Sequence, residues 1–143
     1  MEVIGLLSLL FANLQKKNFF VKTENALEEN KFEKTVIEYI KEHFAEPITS
    51  TSVAKALYIN NSYFCRLFKK SFGCCFSDYL IEYRIGRAKL FLNGTGKSVS
   101  EIAFMIGFNS FSYFSKAFKK SVGIPPTEYR QRKNIVVKNT AKK

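Results

Sequence analysis

The chain has 143 residues, 46% hydrophobic and 15% aromatic, so it can bury one modest core or two small ones and no more. Three cysteines, Cys65, Cys74 and Cys75, odd in number, two of them adjacent and none in a CxxC pair, together with a single histidine, His43, argue against a disulfide framework and a structural zinc centre. With no Gly-rich phosphate loop and no nucleophile and base pair, they also leave nothing from which to build an enzyme, so no cofactor and no metal are expected.

The formal charge of +11 is unevenly placed. Residues 1–61 carry seven Lys/Arg against eight Asp/Glu, whereas residues 62–143 carry sixteen against four. Such an excess implies a polyanionic partner, nucleic acid first, with an anionic membrane surface or plain solubility as the other readings. The unpaired thiols fit a reducing cytoplasm.

The N-terminal stretch VIGLLSLLFANL is the one strongly apolar run. At about a dozen residues it falls short of the ~20 that cross a bilayer, and Glu2 and the lack of a small-residue cleavage site argue against a signal peptide. No membrane partner is expected. The run reads as a helix, residues 15–30 as a polar linker after it, and residues 1–30 together as the remnant of a larger upstream domain.

From Lys31 the pattern turns helical. Phe32, Val36, Ile40 and Phe44 recur four apart and predict a first helix that Pro47 stops. STSVAKALY predicts a short second helix with Val53, Ala54 and Leu57 inward, after a Ser/Thr-rich cap. In SYFCRLFKKSFG, residues 62–73, Phe64, Leu67 and Phe68 fall on one side of a helix and Ser62, Cys65, Arg66 and Lys69 on the other. Residues 77–92 predict a helix apolar on two sides, the mark of one lying between two packed bodies. Ser98 and Glu101 form a capping-box signature for a short helix with Val99, Ile102, Ala103 and Ile106 buried. SYFSKAFKKSVG, residues 112–123, then repeats the earlier phrase with eight of twelve positions identical. Pro126 suits the first turn of a last helix, and residues 134–143 read as a frayed basic tail.

The repeated unit is larger than the phrase. Val53, Ala54 and Leu57 match Ile102, Ala103 and Ile106 at an offset of 49, while the phrases match at 50, so the second turn is one residue longer. Short helix, tight turn and longer helix describe a helix-turn-helix, present twice.

EIAFMIGF, SYFSKAFKK, VGIPPTEYR and, upstream, YLIEYRIGRAKLFL occur in an order that resembles the signature region of the AraC/XylS family of bacterial transcription regulators. The resemblance spans residues 31–133. It implies an all-α domain of seven helices: two helix-turn-helix subdomains, about 31–75 and 98–133, joined by a central helix at about 77–92, here with an extra N-terminal helix. It also implies double-stranded DNA as partner, contact with RNA polymerase, activation more often than repression, and an effector-binding or dimerisation domain of which only a last helix is expected in this chain.

The resemblance further places base-reading positions on Ser62, Cys65 and Arg66 in the first copy and on Ser110, Phe111, Ser112, Ser115 and Lys116 in the second. Lys69, Lys70, Lys119 and Lys120 fall where they suit phosphate contacts. Arg66 carries the best chemistry for specificity, since its planar fork can take guanine O6 and N7 together. Cys65 is a departure, offering at most apolar contact with a thymine methyl. Arg84 and Arg87 are expected to meet phosphates or to pair with acidic neighbours such as Glu82. A protein interaction module, with the basic charge as solubility, is the alternative function.

Overall fold

A computed structural model of the chain describes residues 22–141, and among them all regular structure is helical. The helices are α1 (Lys22–His43), α2 (Ser50–Ala56), α3 (Asn61–Phe72), α4 (Phe76–Gly94), α5 (Val99–Met105), α6 (Phe111–Val122) and α7 (Pro126–Thr140). None of these is long and apolar enough to cross a membrane. The apolar N-terminal run and the helix expected there lie outside the described residues.

The chain divides into two compact units. The first holds α1, Ile48–Tyr79 and therefore α2, α3 and the first turn of α4. Its core forms where Phe32, Val36 and Ile40, four apart on α1, meet Val53 and Ala54 of α2, Leu57 beyond it, and Phe64, Leu67 and Phe68 of α3. Three of the four residues of the expected stripe are therefore buried on α1, whereas Phe44 lies past the end of the helix, half-buried against the core of the second unit, and the helix starts nine residues before Lys31. Residues 22–30 contain no Gly or Pro, so a composition that reads as linker is equally able to continue a helix. α2 opens on a capping box in which the Ser52 amide donates to Thr49 Oγ1 at 3.1 Å and the Thr49 amide donates to Ser52 Oγ at 2.8 Å.

The second unit holds Phe44–Pro47 and everything from Leu80 onward. Ile85, Ala88 and Leu92 of α4 pack with Ile102, Ala103, Ile106, Phe108, Phe114 and Phe118 in one buried cluster. The predicted capping box is present: the Ser98 amide donates to Glu101 Oε2 at 3.0 Å and the Glu101 amide to Ser98 Oγ at 3.1 Å. Pro126 is the first residue of α7, as its fixed φ favours. α7 continues to Thr140 rather than fraying at 134, with Arg132 paired to Glu128 one turn back on its exposed side.

Two arginines hold this unit together through backbone oxygens. Arg84 donates from Nε to the Phe44 carbonyl at 2.7 Å and from Nη2 to the Glu46 carbonyl at 2.8 Å, with its guanidinium 5.9 Å from the Phe108 ring centre. Arg130 donates to the carbonyls of Leu92 and Thr95 at 3.2 and 3.3 Å. Neither Arg84 nor Arg87 pairs with Glu82, contrary to one expectation. Glu82 accepts instead from the Ser121 hydroxyl at 2.7 Å, and Arg87 lies over the rings of Phe44 and Phe91. Loss of hydration pulls Arg84 below the ordinary arginine range, an effect that Tyr113 offsets in part.

Candidate nucleic-acid interface

The two longer helices are built alike. α2 and α5 are both seven residues long and start 49 apart, at Ser50 and Val99; α3 and α6 are both twelve and start 50 apart, at Asn61 and Phe111. The extra residue falls in the second turn. Each turn reverses through a left-handed residue, Tyr58 at φ 58° in the first and Gly107 at φ 101° in the second, after which Ile59 and Phe108 donate to the carbonyls of Ala54 and Ala103. Each longer helix ends on a left-handed glycine, Gly73 or Gly123.

Phenylalanines orient both helices. On α3, Phe64 and Phe68 are fully buried and meet Phe32, Phe72, Phe76 and Tyr79, with ring centres 4.3–5.9 Å apart. This leaves Ser62, Cys65, Arg66, Lys69 and Lys70 exposed. On α6, Phe114 and Phe118 are likewise buried, against Phe108 and Tyr129. Phe111, Ser112, Lys116, Lys119 and Lys120 are exposed and Ser115 is half-buried. Within each unit a rigid aromatic cluster thus presents one short cationic helical face.

Some of these side chains already have partners. The Ser110 hydroxyl caps α6, accepting from the Tyr113 amide at 3.3 Å, as Asn60 caps α3 by accepting from the Ser62 amide at 2.7 Å. The cap preference of Ser and Asn just before an apolar run was a signal for both. Lys70 is paired with Glu29 of α1, which raises its pKa, first by the hydrogen bond and then by the carboxylate's charge. Cys65 donates weakly to Asn61 Oδ1 at 3.6 Å. Burial first, then the neighbouring Cys75 and Asp78, pushes the Cys74 thiol up, away from the reactive thiolate. Among the described residues no group of His, Cys, Asp and Glu could hold a metal ion. The carbonyl clamps of Arg84 and Arg130 escaped sequence reasoning, because a backbone acceptor leaves no trace in residue identity.

Comparison with known proteins agrees with this geometry. Residues 53–132 match the family described as "Helix-turn-helix domain". The HTH-type transcriptional regulator YijO of Escherichia coli K12, itself uncharacterized, is 38% identical over 95 residues, covering 66% of this chain and 34% of that protein. This chain therefore spans about a third of that relative's length. A transcriptional regulator of Chromobacterium violaceum, described as containing an AraC-type DNA-binding domain, is 29% identical with a TM-score of 0.64, covering 68% of this chain and 86% of that one. The DNA-binding domain of the global transcriptional factor AdpA, solved in complex with a target DNA, is 27% identical with a TM-score of 0.67, covering 69% and 89%. The doubled helix-turn-helix, its all-helical fold and these matches together make this chain a member of the AraC/XylS family, carrying that family's DNA-binding domain.

Proposed function

We propose that this chain reads double-stranded DNA in a sequence-specific manner as part of a transcription regulator, with α3 and α6 addressing successive major-groove segments. The observation that carries this reading is the doubling itself: two helix-turn-helix copies, each burying phenylalanines on one side of its longer helix and showing cations on the other. Activation through contact with RNA polymerase is the downstream step that the family resemblance supports. Arg66 reads a guanine in the first copy. Lys116 selects less sharply in the second, because an ammonium is a point charge without the guanidinium's fork. Ser62, Ser112 and Ser115 serve base edges or phosphates within their reach. Lys69, Lys119 and Lys120 meet phosphates, and Lys70 does so by exchanging Glu29 for one.

Selection from random duplexes, followed by competition binding between 50 and 200 mM salt, tests the proposal. An enriched sequence and a steep fall in affinity with salt are expected, since six to ten phosphate contacts lose about 10³–10⁵ in affinity over that range. A flat salt profile with no enriched sequence rejects DNA reading in favour of a protein interaction module.

Two substitutions separate the roles. Arg66→Ala is expected to lose about 1–3 kcal/mol on the selected site and to relax preference at one base pair. Competition among site variants checks this, and equal loss on every sequence denies Arg66 a reading role. Lys119→Ala is expected to weaken all duplexes alike and to flatten the log–log salt slope by about one unit. An unchanged slope denies it a phosphate.

A further inference from the structure

The longer helices differ in kind at their first residue. Asn61 opens α3, and at the matching place Phe111 opens α6. The other phenylalanines of α6, Phe114 and Phe118, are fully buried, yet Phe111 remains 40% exposed. The ring contacts around α6 run through Phe108, Tyr113, Phe114, Phe118 and Tyr129, and among the described residues they leave Phe111 out. A ring held partly in water forgoes the gain that burial would bring. Its neighbours are small or already engaged: Ser110 spends its hydroxyl acceptor on the cap, and Ser112 is short.

The N-terminal residues of a recognition helix are those that meet base edges. There a phenyl ring best matches the C5 methyl of thymine, the one alkyl group that projects from the major-groove edges; cytosine offers only a C–H at that place, and the donors and acceptors of the other edges would be desolvated by an apolar ring without recompense. The exposed Lys116, Lys119 and Lys120 on the same helix supply the attraction that brings the ring to the groove. We propose that Phe111 makes the second helix-turn-helix selective for thymine through its methyl, a specificity-determining contact that rests on the DNA-reading role above.

Deoxyuridine tests this, because it removes the methyl and keeps the pairing edge. The selected duplex is remade with deoxyuridine at each thymine in turn. One replacement is expected to weaken binding of the unaltered chain about fourfold, the value of one methyl-sized group withdrawn from water. In Phe111→Ala the same replacement is expected to change nothing, and Phe111→Leu, apolar but not aromatic, should keep most of the sensitivity. Both variants should melt as the parent does, since the ring is outside the core. Specific binding that ignores every deoxyuridine overturns the thymine contact and leaves DNA reading intact. So does a fourfold loss that persists in Phe111→Ala. Strong fluorescence from 2-aminopurine beside the site, the sign of unstacked bases, also overturns it by showing a wedge instead. If selection enriches no sequence at all, the DNA-reading role falls first and the contact with it.

Discussion

Ile102→Asp is expected to unfold the second unit under conditions where the unaltered chain is fully folded. Ile102 has no exposed surface and sits in the cluster that joins α4, α5 and α6. Its backbone is fixed on both sides: its amide donates to the Ser98 carbonyl at 3.0 Å, and its carbonyl accepts from the Ile106 amide at 3.1 Å. The side chain therefore cannot swing to water without loosening both the cap and the turn. An unpaired carboxylate there costs more than about 4–5 kcal/mol, a large part of the roughly 5–15 kcal/mol that holds a whole domain folded. Ile102→Val should cost only about 0.5–1.5 kcal/mol, because it removes one methylene and adds no charge. Amide exchange across α5 and α6 measures the outcome. Full protection and an unshifted melting temperature in Ile102→Asp would refute the buried placement.

What could be read from residues alone followed the apolar periodicity. Val53, Ala54 and Leu57, with their echoes Ile102, Ala103 and Ile106, are all buried, and the one-residue difference is there too: the offset of 49 holds through the hydrogen bonds of Ile59 to Ala54 and Phe108 to Ala103, and the extra residue follows them. The outward faces of α3 and α6 were legible for the same reason, since placing Phe64 and Phe68 inward leaves Arg66 and Lys69 no other side. Where apolar spacing is absent the boundaries slipped. The start of α1 at Lys22 rests on mostly polar residues whose helical preference differs little from that of a linker, and the run of α7 to Thr140 passes through Ile135, Val136 and Val137, an unbroken apolar run of modest helical preference that shows no helical spacing. Partners far apart in sequence were also hidden. Glu29 meets Lys70 across 41 residues, and Arg84 reaches two carbonyl oxygens about 40 residues earlier. Phe111 was assigned to the reading set by resemblance, but its exposure became visible only once Phe108 and Phe114 had filled the core around it.

Gly107→Ala is expected to destabilise the second unit by about 3 kcal/mol, through two separate penalties. The residue sits at φ 101°, a backbone region that side chains rarely adopt, whereas its counterpart Tyr58 at φ 58° lies in the ordinary left-handed well and bears a full side chain. Space is the second penalty. A methyl group on Gly107 would lie 2.8 Å from the Phe44 carbonyl oxygen and 2.9 Å from both Nε and Cζ of Arg84. These are the two ends of the 2.7 Å hydrogen bond, so the methyl presses on donor and acceptor together. Arg84 cannot yield as a loose surface arginine would, because its other nitrogen holds the Glu46 carbonyl and its guanidinium lies over Phe108. Gly86→Ala is the matching control. It lies within α4, exposed, with nothing within 4 Å of an added methyl, and should stabilise by about 0.5–1 kcal/mol. Denaturant midpoints at constant slope compare the two. A neutral Gly107→Ala would mean that Arg84 releases both carbonyls without loss, and the clamp could then hold neither the Phe44–Pro47 segment nor the turn that leads into α6.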